Sequence, residues 1–141
     1  MSDDAALDRP PSGYERTLGL RVTALEDDQI RGQVEVGPEH LQPAGIVHGG
    51  VYCGMVETLA SIGAERVARA RGQHVVGIEN STSFLRAVSA GHLFGVAVPV
   101  TTGRTTQLWH VRIHDDRDRS IASGKVRLMC LANDPGLPAS D

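Results

Sequence analysis

The sequence predicts an α+β domain, one long helix covering one face of an antiparallel sheet, and three observations predict it. From Gly49 to about Arg71 there is no proline, and Val51, Met55, Leu59 and Ile62 recur at helical spacing. Four strand-like runs follow with no further helix, at about 74–85, 92–101, 106–114 and 119–131. Before the helix, Ile30, Gly32, Val34 and Val36 alternate with Arg31, Gln33 and Glu35, the pattern of a half-buried strand. One helix covers one face of such a sheet, which leaves the other face, or an edge, for a second subunit.

In chain order, residues 1–13 hold Pro10, Pro11 and Gly13 and read as a loosely held tail, as do residues 132–141 with Pro135, Gly136 and Pro138. The domain is expected over 14–131. A turn-rich loop with Gly37, Pro38, Pro43 and Gly45 leads into the helix. Gly72 is the expected C-cap, with Arg66, Arg69 and Arg71 near the negative end of the helix dipole. In the strands that follow, Phe94, Val96, Val98 and Val100 form one apolar face. Trp109, Val111 and Ile113 form another, and Val126, Leu128 and Cys130 a third. The charged run from His114 to Arg119 reads as a solvated hairpin loop. Pro99 cannot donate a ladder hydrogen bond and predicts an edge or a bulge. Together the runs predict an antiparallel meander.

The bulk composition fits one ordinary domain: 141 residues, 40% hydrophobic, 22% charged, net charge −3. This excludes a disordered chain, a collagen and a disulfide scaffold. The mildly acidic balance argues against a nucleic-acid partner. No stretch approaches the roughly 20 apolar residues of a membrane span, and the acidic N-terminus has no signal core. A cytoplasmic protein is expected, with Cys53 and Cys130 as reduced thiols. No metal site is expected: His110 and His114 share a strand face but stand roughly 13 Å apart.

Function is concentrated in the helix. From Gly49 to Ala64 its only charge is Glu57. A lone carboxylate in an apolar helix is either a site or a residue that merely emerges at the surface. Gly50, Gly54, Glu57, Ser61, Ala64 and Ala68 lie along one stripe, all small except Glu57, so a second helix or a ligand can approach. Ser61 could hold the carboxylate or a water, or serve packing alone. At the helix start, His48, Gly49 and Gly50 precede amides that have no internal partner, a setting that suits a developing oxyanion. Eight residues separate Gly49 from Glu57, roughly 12 Å along a helix. One helix therefore does not bring both to one carbonyl. Two antiparallel copies do, which predicts a symmetric dimer with shared sites.

The run from Gln42 to Gly50, followed by Glu57 and Ser61, resembles the hotdog-fold acyl-CoA thioesterases, closest to the 4-hydroxybenzoyl-CoA and phenylacetate-pathway types. The segments 80–86 and 103–106 extend the resemblance over about 14–131, and it implies the α+β hotdog fold, an antiparallel sheet wrapped around one long central helix. It implies that Glu57 is nucleophile or general base and that Gly49 supplies the N–H to the thioester carbonyl. Gln42, His48 and Gly50 would surround that carbonyl, and Ser61 would place the hydrolytic water. Arg86, Arg104, Thr105 and Thr106 would contact the nucleotide end of CoA. The substrate would be an acyl-CoA, with no separate cofactor, in a homodimer that pairs into a homotetramer. Many phenylacetate-type members carry Asp and Asn where this chain has Glu57 and Gln42, so the pair looks more like the 4-hydroxybenzoyl-CoA branch. Two rivals share the fold: an enoyl-CoA hydratase, which usually has an acid and a His in one loop-helix segment, and a non-catalytic acyl-CoA-binding regulatory module.

Overall fold

The computed structural model describes residues 7–133, so of the expected tails, 1–13 and 132–141, residues 1–6 and 134–141 lie outside the described residues. The elements are α1 (Gly13–Leu18), β1 (Leu20–Leu25), β2 (Ile30–Glu35), a 3-10 turn (Pro38–His40), α2 (Gly49–Arg69), β3 (Gln73–Phe84), β4 (His92–Thr102), β5 (Thr106–His114) and β6 (Ser120–Ala132). The six strands form one antiparallel sheet in the order β1-β2-β4-β5-β6-β3. It wraps α2, as the resemblance implied.

The helix forms where expected and ends slightly earlier. Its C-cap is Ala70, and Gly72 takes the left-handed conformation (φ 68°) two residues later, as the chain turns into β3. The strand β1 and the short helix α1 were not expected from the pattern. The meander holds for β4, β5 and β6, but β3 crosses to the far edge and pairs with β6 alone. The link after β3 runs across the sheet end, with Leu85 N–H on the Ile121 carbonyl at 2.8 Å and Val47 N–H on that of Val88 at 2.8 Å. Pro99 lies at a bulge between Pro99 and Thr101, beyond Ala97, where pairing with β2 ends, so its missing N–H breaks no ladder bond.

The buried face of β4 is the reverse of the one expected. Leu93, Gly95 and Ala97 face the helix, while Phe94, Val96 and Val98 are half-buried on the outer face and Val100 is exposed. The cause is the closeness of α2. Leu59 fills the space over Gly95 and Gly32, where an added Cβ would lie 2.5 and 2.8 Å from its methyls. Val56 does the same over Gly124, at 2.8 Å. Valine at those positions would push the helix away. On β5 and β6 the expected faces are buried: Trp109, Val111 and Ile113, then Val126, Leu128 and Cys130. Each large core side chain contributes about 1.5–3 kcal/mol by leaving water.

The charged hairpin is not simply solvated. Asp115 is buried, with Oδ2 taking Arg119 at 2.7 Å and Oδ1 taking the N–H groups of Arg117 and Arg119 at 3.0 and 2.9 Å. Burial opposes its ionisation, but these bonds outweigh it and bring its pKa down to about 2.

Two outcomes follow from the packing. Gly63→Ala gains about 1 kcal/mol in helix propensity. It also drives a methyl into the Trp109 ring, which costs typically about 1–3 kcal/mol in a filled core. The variant is expected to be less stable in urea denaturation. For Asp115→Asn, a depressed folded pKa gives stability that is present above the unfolded value of about 4 and fades as pH falls through about 2. The gap in Tm between the parent and this variant should therefore close between about pH 4 and pH 2.

Candidate active site

The loop before α2 delivers its first residues in a fixed pose. Leu41 bridges Val47, Gln42 N–H donates to the Ile46 carbonyl at 2.8 Å, and the Gln42 side-chain oxygen accepts the Ala44 N–H. That oxygen is spent on its own turn, so the Nε2 amide is what Gln42 retains for a substrate. Behind the loop stands His40, which sequence reasoning missed. It is buried, accepts the Gly37 N–H on Nδ1 at 2.9 Å, and so donates from Nε2 to the Leu18 carbonyl at 2.7 Å. Its own carbonyl receives the His48 N–H at 2.8 Å. Only the burial, which no local pattern carries, could have revealed it.

His48 is the N-cap of α2, in extended conformation at φ −64° and ψ 135°. Its Nδ1 accepts the Gly50 N–H at 2.8 Å and its carbonyl accepts the Val51 N–H at 2.9 Å. Two of the first three helix amides are thus taken by His48 itself. The Gly49 amide takes neither acceptor, and it stands at the positive end of the helix dipole. With Nδ1 accepting, the neutral ring of His48 carries its proton on Nε2. The Gly50 amide is thus held by the cap.

Glu57 lies half-buried on the side of α2 that faces β3. Its Oε2 accepts from Asn80 Nδ2 at 3.0 Å, and the same amide reaches the Cys53 carbonyl at 3.1 Å. Oε1 rests against Gly77, where a Cβ would overlap it. Ser61 lies one turn on and lines, with Glu57, Thr58, Ile62, Tyr14 and Val22, an open groove of about 1240 Å³. The small stripe is partly filled from within: Tyr14 and Leu18 of α1 pack on Gly54, and Ala64 and Ala68 are buried.

The two halves of the site are joined by the inner row of β3. Gly77 lies against Glu57 at one end, and the Phe84 ring lies against Gly49 at the other. Phe84 is 55% exposed, with its ring 5.6 Å from that of Tyr52. Tyr52 itself is buried, which pushes its phenol pKa up. Trp109 is a core residue, as expected.

The positions proposed for CoA do not converge in one chain. Arg86 follows β3 at its Phe84 end, with its N–H on the Ile121 carbonyl at 3.3 Å. Arg104 and Thr105 form the β4–β5 turn beside the other end, where Gln73 Nε2 reaches the Arg104 carbonyl at 3.0 Å, and Thr106 opens β5. The ends of β3 are eleven residues apart, roughly 36 Å in a strand. Among the described residues, no three His, Cys, Asp or Glu side chains gather as a metal site.

Residues 44–122 match the family described as the Thioesterase superfamily. Rv1847 of Mycobacterium tuberculosis (strain ATCC 25618 / H37Rv), provisionally named an esterase, is 45% identical over 124 residues, covering 86% of this chain and 89% of that protein. Its solved structure superposes with a TM-score of 0.84 at 46% identity, over 86% of this chain and 98% of that one. The proofreading thioesterase EntH of Cronobacter turicensis is 38% identical over 109 residues, covering 77% of this chain and 79% of that protein. The structure of AziG from S. sahachiroi gives a TM-score of 0.83 at 38% identity, over 86% and 98% of the two chains.

A proline at Gly49 tests the amide donor directly. His48 already holds the extended conformation that precedes proline, and proline suits the first helical position. Phe84→Ala makes room for the ring. The double variant Gly49→Pro/Phe84→Ala should keep its helicity by circular dichroism. Against Phe84→Ala alone, its kcat/KM on thioesters should fall about 10²–10³-fold, the scale of one oxyanion donor.

Proposed function

The chain belongs to the thioesterase superfamily, a kinship that makes it a thioester hydrolase, and we propose that the thioester it cleaves is an acyl-CoA, with an aromatic or medium-chain acyl group, at sites shared between two subunits. The observation that carries this reading is that Glu57 and the Gly49 amide lie on one helix beside an open edge strand. They are too far apart to serve one carbonyl in the same chain. β3 pairs with β6 on one side only, and Val76 and Ile78 on it are 43% and 50% exposed. Two copies paired antiparallel along β3 bring the helices side by side in opposite directions. The Gly49 end of one then lies beside Glu57 of the partner subunit. The same pairing carries Arg86 toward Arg104, Thr105 and Thr106 of the partner subunit, so that the nucleotide end of CoA meets both groups.

The thioester carbonyl accepts from Gly49 N–H, with His48 Nε2 and the Gln42 amide beside it. In one route Glu57 attacks the carbonyl carbon, the C–S bond breaks and CoA leaves as thiolate. Water then cleaves the mixed anhydride and returns the carboxylate. In the other, Glu57 takes a proton from water placed by Ser61, the resulting hydroxide attacks the carbonyl carbon, and the C–S bond breaks so that CoA leaves as thiolate and takes up the proton. Neither route needs a cofactor beyond the CoA in the substrate, because thiolate is a fair leaving group. Tyr14, Tyr52 and Phe84 near the groove and the Gly49 end support an aromatic acyl group. The half-buried Phe94, Val96 and Val98 on the outer sheet face support further pairing of dimers into a tetramer. A cytoplasmic setting is supported by the free thiols Cys53 and Cys130. No helix among the described residues is long and apolar enough to cross a membrane.

The test is a thiol-release panel of aromatic, short, branched and long acyl-CoAs, with the same acyl groups on a carrier-protein phosphopantetheine arm. Hydrolysis is expected to favour the CoA esters. Glu57→Ala should lose about 10² or more in kcat while it still binds CoA. Mixing Glu57→Ala with Gly49→Pro/Phe84→Ala after unfolding and refolding together should restore roughly a quarter of the parent activity, since half of the random pairs carry one intact site, which takes Gly49 and Phe84 from the Glu57→Ala chain. No recovery on mixing would place both groups in one chain's site and sink the shared-site reading.

A further inference from the structure

We infer that Asn80 is a positioning residue for Glu57, turned toward it by the β-bulge at Ile78. This rests on the reading of Glu57 as the catalytic carboxylate. In the pairing of β3 with β6, Gly77 stands opposite Leu128 and Glu79 opposite Arg127, so one extra residue, Ile78, is inserted between them. Side chains alternate across a strand, and one inserted residue exchanges the faces of all that follow. Without the bulge Glu79 would follow Gly77 onto the inner face and set a second carboxylate beside Glu57. With it, Glu79 turns outward with Arg127, and Asn80 turns inward opposite the buried Val126.

Each polar atom of the Asn80 side chain is then engaged. Its Nδ2 donates to Glu57 Oε2 at 3.0 Å and to the Cys53 carbonyl at 3.1 Å, one turn before Glu57 on the same helix. Its Oδ1 accepts the Thr82 hydroxyl at 2.7 Å. The amide's direction is fixed at its other end, because a flipped amide would set its oxygen against the Glu57 carboxylate and the Cys53 carbonyl, acceptor against acceptor. Thr82 in turn occupies the space left by Gly124, whose Cβ would lie 2.6 Å from its hydroxyl. Oε2 is thereby held, and Oε1, against Gly77, is the oxygen left to meet carbonyl or water. A carboxylate held by one oxygen presents the other at a set angle, and that positioning accelerates the reacting step more than it aids binding.

The experiment compares Asn80→Ala, Asn80→Asp and Glu57→Ala on the acyl-CoA that the parent enzyme hydrolyses fastest. Asn80→Asp keeps the shape and the Thr82 bond but turns the donor into an acceptor. For Asn80→Ala, kcat should fall about 10–100-fold, the scale of one hydrogen bond to a charged group. KM should stay within about twofold, as for an interaction made in the transition state. Asn80→Asp should fall at least as far, since it keeps the Thr82 bond but sets a second acceptor against Oε2. Both variants should keep the parent Tm within a few degrees. A fall in kcat matched by a rise in KM, or by a large loss of Tm in both variants, would mean a merely structural role and would overturn the proposal. Unchanged kcat in both Asn80 variants would overturn it too. If Glu57→Ala is inactive in that case, the catalytic reading of Glu57 survives alone; if Glu57→Ala stays active, both fall together.

Discussion

The close seating of α2 in the sheet is the constraint on which the rest depends. Leu59 enters the hollow over Gly32 and Gly95, Val56 lies over Gly124, and the Trp109 ring lies against Gly63 of the helix. These contacts leave no freedom for α2 to roll, because a close-packed interior resists a shift of even one methylene. Once the roll is fixed, the directions of the remaining helix side chains follow. Gly54 meets α1, and Glu57 meets the edge strand β3, where Gly77 has no side chain to displace it. The carboxylate is therefore aimed by packing on the far side of the helix.

That same requirement explains where the sequence misleads. A binary pattern reads valine as inside and glycine as neutral, so β4 reads with Phe94, Val96 and Val98 toward the core. The close helix reverses it, and small residues take the buried face. The long helix was legible because its period runs over five turns, and β5 and β6 because their buried residues are large. The place of β3 at the edge beyond β6 was not legible, since it depends on pairings far apart in sequence. Within the site, Glu57 was visible as a lone charge, and His48, Gly49 and Gly50 as a turn of small residues at a helix start. Asn80 and Phe84 were not, because a one-residue bulge and the end of a strand decide where they point. His40 was invisible for another reason: burial is not written in its neighbours.

An open edge strand with apolar residues is usually a hazard, a ready template for pairing with the wrong chain. Here Val76 and Ile78 are exposed on β3, and no proline or lysine guards that strand. The hazard and the half-sites share one border. A partner that covers this edge removes the exposed apolar surface and the unpaired ladder groups together. Under the proposed pairing, the contact that protects the edge also completes the site. Activity and the burial of that edge would be coupled, and a weakened edge would lose both.

The N-cap adds a last constraint on the chemistry. His48 takes the Gly50 amide with its ring and the Val51 amide with its carbonyl, so in the proposed mechanism the first turn has one backbone N–H, that of Gly49, to give a carbonyl oxygen. A single donor stabilises a developing oxyanion less than a pair does, and the helix dipole adds a fraction of a charge. This modest support suits a thioester, whose carbonyl is more reactive than that of an oxygen ester and whose thiolate leaves readily. An amide, with a poor leaving group, would ask for more. On the proposed mechanism the capping geometry thus bears on substrate class as well as helix stability, because the histidine that begins the helix would also limit how demanding a carbonyl the site can handle.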